Sequence, residues 1–167
     1  MTAPVVTVGE AISQARTNVF AQDAFVTGVR RLIGVALGVN INATNTDVTI
    51  PLLLLSGTNF VVRAVMVNNA VVNNAGTITN SATTATAALN TVAAAGAGNV
   101  VLVTAAALSG LTALTGAGSN LDMTLATQAV TLNQTAQANL LYFRTGTAQG
   151  ASTSATVDVY VFGDVLP

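Results

Sequence analysis

No charged residue occurs between Arg63 and Asp122, and this limits the folds open to the chain more than any other feature. A long middle stretch must meet water, lipid or protein without one ionised side chain. A membrane span is the first reading to test, and it fails. The stretch is broken by Asn68, Asn69, Asn73, Asn74, Asn80, Asn90 and Asn99 and by many Thr and Gly, whereas a spanning helix needs about 20 continuously apolar residues. Its best apolar run, Val100 to Leu114, carries Thr104, Ser109, Gly110 and Thr112. What remains is the signature of strands and turns: short β-prone runs separated by Asn, Thr and Gly.

The scarcity of charge extends over the whole chain. Of 167 residues, five are Lys or Arg and six are Asp or Glu, giving 7% charged and a net charge of −1. A typical soluble domain is about 25% charged. The basic residues are Arg16, Arg30, Arg31, Arg63 and Arg144, and the acids are Glu10, Asp23, Asp47, Asp122, Asp158 and Asp164. A folded monomer of this mass exposes on the order of 7,500 Å². Either neutral Thr, Asn, Ser and Gln form that surface, or much of it is buried against partners. Low net charge also weakens repulsion between copies. Length suits one domain with a single core.

These residue types exclude most chemistry. Ser and Thr are plentiful, but the chain has no His, Lys or Cys to activate them, and a nucleophile needs such a neighbour. No two carboxylates stand close together on one strand face, as glycoside hydrolysis would require. The expectation is a protein that is not an enzyme, with no catalytic residue, no cofactor-binding residue and no metal ligand. Asp122, Asp158 and Asp164 are the oxygen donors a Ca²⁺ ion would use. The simpler expectation is that Asp158 pairs with Arg144 or Arg63 on a neighbouring strand, while Asp122 and Asp164 mark turns. Gly96/Gly98 and Gly116/Gly118 read as turn glycines, since a phosphate loop needs a following Lys. Arg30-Arg31 is the only basic pair, too little for nucleic acid. The Thr-x-Thr pieces at Thr77/Thr79, Thr84/Thr86 and Thr145/Thr147 have no regular period and read as β propensity.

Absence of cysteine fits folding in reducing cytosol. The start, Met-Thr-Ala-Pro-Val-Val-Thr-Val, has neither the basic nor the long apolar region of a secretion signal, so cytoplasmic assembly is expected, without a membrane partner.

Two domains of organisation follow. Residues 1–28 read as an N-terminal arm or short helix: Gly9 to Gln22 places Ile12, Ala15, Val19 and Phe20 at helical spacing, with Glu10 in the first turn. Residues 29–167 read as an all-β domain. Runs at Arg30–Val39, Val48–Leu55, Phe60–Val67, Val100–Val103, Leu121–Ala126, Ala129–Leu132, Asn139–Thr145 and Ala155–Phe162 are the clearest strands. Pro51 marks an edge strand or a bulge. In Phe60–Val67, strict alternation puts Phe60, Val62, Ala64 and Met66 on one face and Val61, Arg63, Val65 and Val67 on the other. In Ala155–Phe162, Val157, Val159 and Val161 oppose Asp158, Tyr160 and Phe162. Residues 68–99 read as one short strand and loops, and Ala105–Ala113 as a helical turn or a loop. About eight short strands separated by turns predict an antiparallel β-sandwich or jelly roll.

Three C-terminal stretches carry a resemblance: Leu121-Asp122-Met123-Thr124-Leu125; Leu140-Leu141-Tyr142-Phe143-Arg144-Thr145-Gly146-Thr147-Ala148-Gln149-Gly150; and Thr156-Val157-Asp158-Val159-Tyr160-Val161-Phe162-Gly163-Asp164. Together they resemble small tailed-phage structural proteins of the jelly-roll decoration or cement type. The resemblance lies in strands and loops over the C-terminal third, and it has no catalytic motif. It implies a virion protein on the capsid surface. It also implies a homo-oligomer, with a trimer expected, bound to the major capsid protein, and an arm reaching over neighbouring subunits. The alternatives are a tail, collar or fibre-base component, and a glycan-binding module whose only tyrosines are Tyr142 and Tyr160.

Overall fold

The computed structural model describes residues 31–111, 113–114, 117–118, 120–126, 130–135 and 139–166. The expected arm over residues 1–28, with its helix, lies outside these residues, as does part of the Gly116/Gly118 loop. Twelve strands follow in order: β1 (Arg31–Asn40), β2 (Thr46–Pro51), β3 (Asn59–Asn74), β4 (Thr77–Thr79), β5 (Thr86–Asn90), β6 (Val101–Ala107), β7 (Ala113–Leu114), β8 (Ala117–Gly118), β9 (Leu121–Met123), β10 (Leu132–Asn133), β11 (Leu140–Thr147) and β12 (Ser154–Leu166).

Ten of them, rather than about eight, build two antiparallel sheets packed as a sandwich. Sheet A runs β1-β12-β3, and the far edge of β3 is lined in turn by β10, β9 and β4. Sheet B runs β2-β11-β5-β6. β7 and β8 form a separate two-stranded ribbon. Setting aside the short β4, β7, β8 and β10, the other eight strands, counted along the chain, order as 1-8-3-6 and 2-7-4-5. That succession is the doubled Greek key of a jelly roll.

Alternation builds the core. Val157, Val159 and Val161 of β12 face Leu141 and Phe143 of β11, Ile50 of β2 and Leu89 of β5, all fully buried in one cluster. The expected split of β12 is therefore the observed one. Pro51 ends β2, the edge strand of sheet B, where a missing N–H costs no ladder bond.

β3 departs from strict alternation, and bulges are the reason. Phe162 pairs with Ala64 while Gly163 pairs with Val62, so Arg63 is an extra residue. The inward set therefore shifts from Phe60 and Val62 to Val65 and Val67. The expected grouping of Ala64 and Met66 with Phe60 and Val62 is corrected: both lie on the opposite, outer face. A second bulge between Asn68 and Val71 includes Asn69, at φ 52°. β1 has matching bulges, one adding Ile33 and one at Leu37–Gly38, with Gly38 at φ 62°. A single extra residue reverses the side-chain register and tightens the twist.

Other boundaries also moved. The Ala105–Ala113 region is no helical turn at its start: β6 continues to Ala107, and the chain then turns at Ser109–Gly110. Residues 68–99 hold more strand than expected, because β3 runs on to Asn74 and hairpins into β4 before β5.

Candidate functional site

The acids sit differently from expectation. Asp158 pairs with neither Arg144 nor Arg63. Its Oδ1 accepts the Gly38 N–H at 2.7 Å and its Oδ2 accepts from Asn69 Nδ2 at 2.9 Å. β12 lies between β1 and β3, and each neighbour bulges beside Asp158. One carboxylate thus holds both irregularities, taking a backbone donor that a bulge removes from the ladder. Arg63 instead meets Asp164, Nε to Oδ2 at 2.6 Å, and Arg144 meets Asp47, Nη1 to Oδ2 at 2.6 Å. Asp164 and Asp122 lie within β12 and β9, not in turns. No group of three or more acids that could hold a metal ion occurs among the described residues.

Neutral amides do the work that ion pairs do elsewhere. Gln149 Oε1 accepts the consecutive N–H groups of Thr83, Thr84 and Ala85 at 3.0, 3.3 and 3.3 Å, while its Nε2 donates to Thr83 Oγ1. Asn42 and Ala151 exchange two bonds, at 2.7 and 2.8 Å. Asn73 and Asn74 accept from Gly76 and Ser152. One end of the sandwich, where these loops meet, is stitched without charge.

The two outer faces differ. On sheet B, cross-strand pairs place Asp47, Thr49, Tyr142, Arg144, Ala88 and Asn90 outward. The 91–100 loop folds back over this face. Asn99 accepts from the Thr91 and Val92 N–H groups and donates to Asn90, and the Ala94 N–H donates to Asp47 Oδ2. Asn90 is 3% exposed as a result.

On sheet A, the outward rows are Leu32–Phe162–Ala64 and Val35–Tyr160–Met66–Asp122. None of the apolar side chains in these rows belongs to the core cluster or packs against it. The chain's two tyrosines, Tyr142 and Tyr160, stand on opposite sheets.

A third feature lies at the end of the sandwich where β1 begins. Leu53 is 55% and Leu55 is 84% exposed, on the loop joining β2 to β3. The loop is fixed by Leu53 N–H to the Ile33 carbonyl at 2.7 Å and by Gln134 Nε2 to the Leu54 carbonyl at 2.9 Å. Leu37 and Ile78 are the other strongly exposed large apolar residues among those described. Leu53 and Leu55 fall in the expected strand Val48–Leu55, but β2 ends at Pro51 and both project from a pinned loop.

The chain matches no protein-family model, no curated protein and no solved structure.

Proposed function

We propose that the chain is a virion structural protein: a decoration or cement protein that self-associates and binds the head, with no catalytic role. The observation that carries the reading is the pinned Leu53–Leu55 loop on a domain nearly free of charge. Exposed leucines held on an ordered loop are poised to be covered by protein, and the low net charge lets copies approach. The jelly roll is an architecture of viral coat and lectin domains, which supports the reading by analogy alone. Lectin-like binding is less favoured, because the two tyrosines stand on separate faces.

Self-association through the Leu53–Leu55 loop supplies the homo-oligomer, and the major capsid protein is the second partner. Mass spectrometry and electron cryo-microscopy of purified particles test the reading. The expected result is this chain at fixed copy number on the head surface. Particles that lack it contradict a virion role, and density on the tail or collar moves it to another part of the virion.

A further inference from the structure

The loop that folds back over sheet B is held in place by one carboxylate and works against its own backbone. Residues 91–100 join β5 to β6 and divide into a neck and a tip. The neck is closely knit. Asn99 Oδ1 accepts the Thr91 and Val92 N–H groups, Asn99 Nδ2 donates to Asn90 Oδ1, and the Val100 N–H donates to Thr91 Oγ1 at 2.8 Å. The tip, residues 93–98, is exposed throughout. Two bonds of 3.1 Å close it, from the Gly96 N–H to the Ala93 carbonyl and from the Asn99 N–H to the Gly96 carbonyl. Ala94 and Ala95 stand at φ 53° and 51°, in the left-handed region where a Cβ crowds the backbone. Gly96, which would enter that region freely, is instead extended, at φ −65° and ψ −174°.

We propose that residues 93–98 form a strap with two positions, latched shut by Asp47 and driven open by the strain at Ala94 and Ala95. The latch is the first argument. The single turn Ala93–Ala95 starts at Val92, whose side chain makes no capping bond. Asp47 of β2 takes that place from across the chain: its Oδ2 accepts the Ala94 N–H at 2.9 Å, as a capping side chain would. Among the described residues this is the one hydrogen bond from the tip to another part of the chain. The same oxygen receives Arg144 Nη1 at 2.6 Å, so the latch is charge-assisted. What the strap covers is the second argument. Asp47 and Arg144 are the only charged residues in the four strands of sheet B. The turn lies beside β2 and β11, which carry them, and their side chains are 17% and 23% exposed. Opening frees Asp47 Oδ2 of its backbone donor and turns the ion pair to solvent. The strap therefore gates the charge on an otherwise neutral face. The third argument is the pivot. Gly96 and Gly98, the latter at φ 78°, let the tip swing while the neck stays bonded.

This inference does not depend on the virion reading. Amide hydrogen exchange on the full-length protein tests it, read by nuclear magnetic resonance as protection factors that correct for the intrinsic rate of each sequence. The Gly96 and Asn99 N–H groups, whose bonds close the tip, report the strap; the Val92 and Val100 N–H groups report the neck. Asp47→Ala is expected to lower protection at the strap by about tenfold or more and to leave the neck unchanged. Ala94→Gly and Ala95→Gly relieve the strain and keep the latch. Each is expected to raise protection at the strap by about threefold to tenfold, again with the neck unchanged. Circular dichroism checks that each variant retains its β structure, and the glycine variants carry the test if Asp47→Ala does not fold. Unchanged strap protection in a folded Asp47→Ala variant overturns the latch. Unchanged or lowered protection in both glycine variants overturns the stored strain. Strap and neck losing protection together in Asp47→Ala overturns the division of the loop into two parts, and the proposal with it.

Discussion

Sheets A and B share a core but finish their exteriors differently. Sheet B turns Asp47, Arg144, Thr49 and Asn90 outward and buries the last beneath a loop held by Asn99. Sheet A turns outward Phe162, Tyr160, Met66, Val35 and Leu32, none of them packed against the core, set among Asp158, Asp122 and the Arg63–Asp164 pair. The contrast shows two ways to finish a sheet in a chain with few charges: a loop held over one face by neutral hydrogen bonds, and apolar rows bordered by the chain's few acids on the other. It also separates faces from ends, since the most exposed leucine among the described residues, Leu55, lies on a loop at the end of the sandwich.

The largest effect is expected where both sheets meet. Phe143→Ala, at a fully buried core position, lowers stability by about 3–5 kcal/mol in denaturant unfolding. Phe162→Ala, on the outer side of sheet A, lowers it by about 1–2 kcal/mol. Equal losses at the two positions would erase the distinction between core and outer face.

A smaller effect is expected at the bulges. Asp158→Ala removes the acceptor for Gly38 and Asn69 and costs about 1–2 kcal/mol. Hydrogen exchange measured on it shows faster exchange at the Gly38 amide, with the 91–100 loop of sheet B unaffected. The smallest effect falls on sheet B. Arg144→Met breaks the contact with Asp47 and costs no more than about 1 kcal/mol. With only 7% of residues charged, sodium chloride between about 0.05 and 1 M changes the unfolding free energy of the unaltered chain by less than about 1 kcal/mol.

Much of the fold was legible in the sequence. Alternation in β12 and β11 is unbroken over the core-facing residues, so Val157, Val159 and Val161 could be assigned inward from spacing alone. β3 was harder. Arg63 and Asn69 each insert one residue, and a bulge is a property of pairing between strands that no single run displays. The same cause misplaced Asp158, whose partners Gly38 and Asn69 come together only through the β1-β12-β3 order. The expected ion pair with Arg144 overlooked that Arg144 belongs to the other sheet. The exposure of Leu53 and Leu55 is hidden in the sequence because Leu52 to Leu55 reads as a continuous β-prone run; the chain leaves the β11 ladder after Pro51 and makes one bridge, Leu52 to Gly34, before the loop.

The proposed self-association uses the Leu53–Leu55 loop, where Leu53 is 55% and Leu55 84% exposed. Multi-angle light scattering on the unaltered chain and on the double variant Leu53→Asp/Leu55→Asp tests it most directly. A defined oligomer is expected for the unaltered chain and a monomer mass for the double variant, with unchanged circular dichroism. A monomer mass for the unaltered chain, or an oligomer that persists in the double variant, would contradict it.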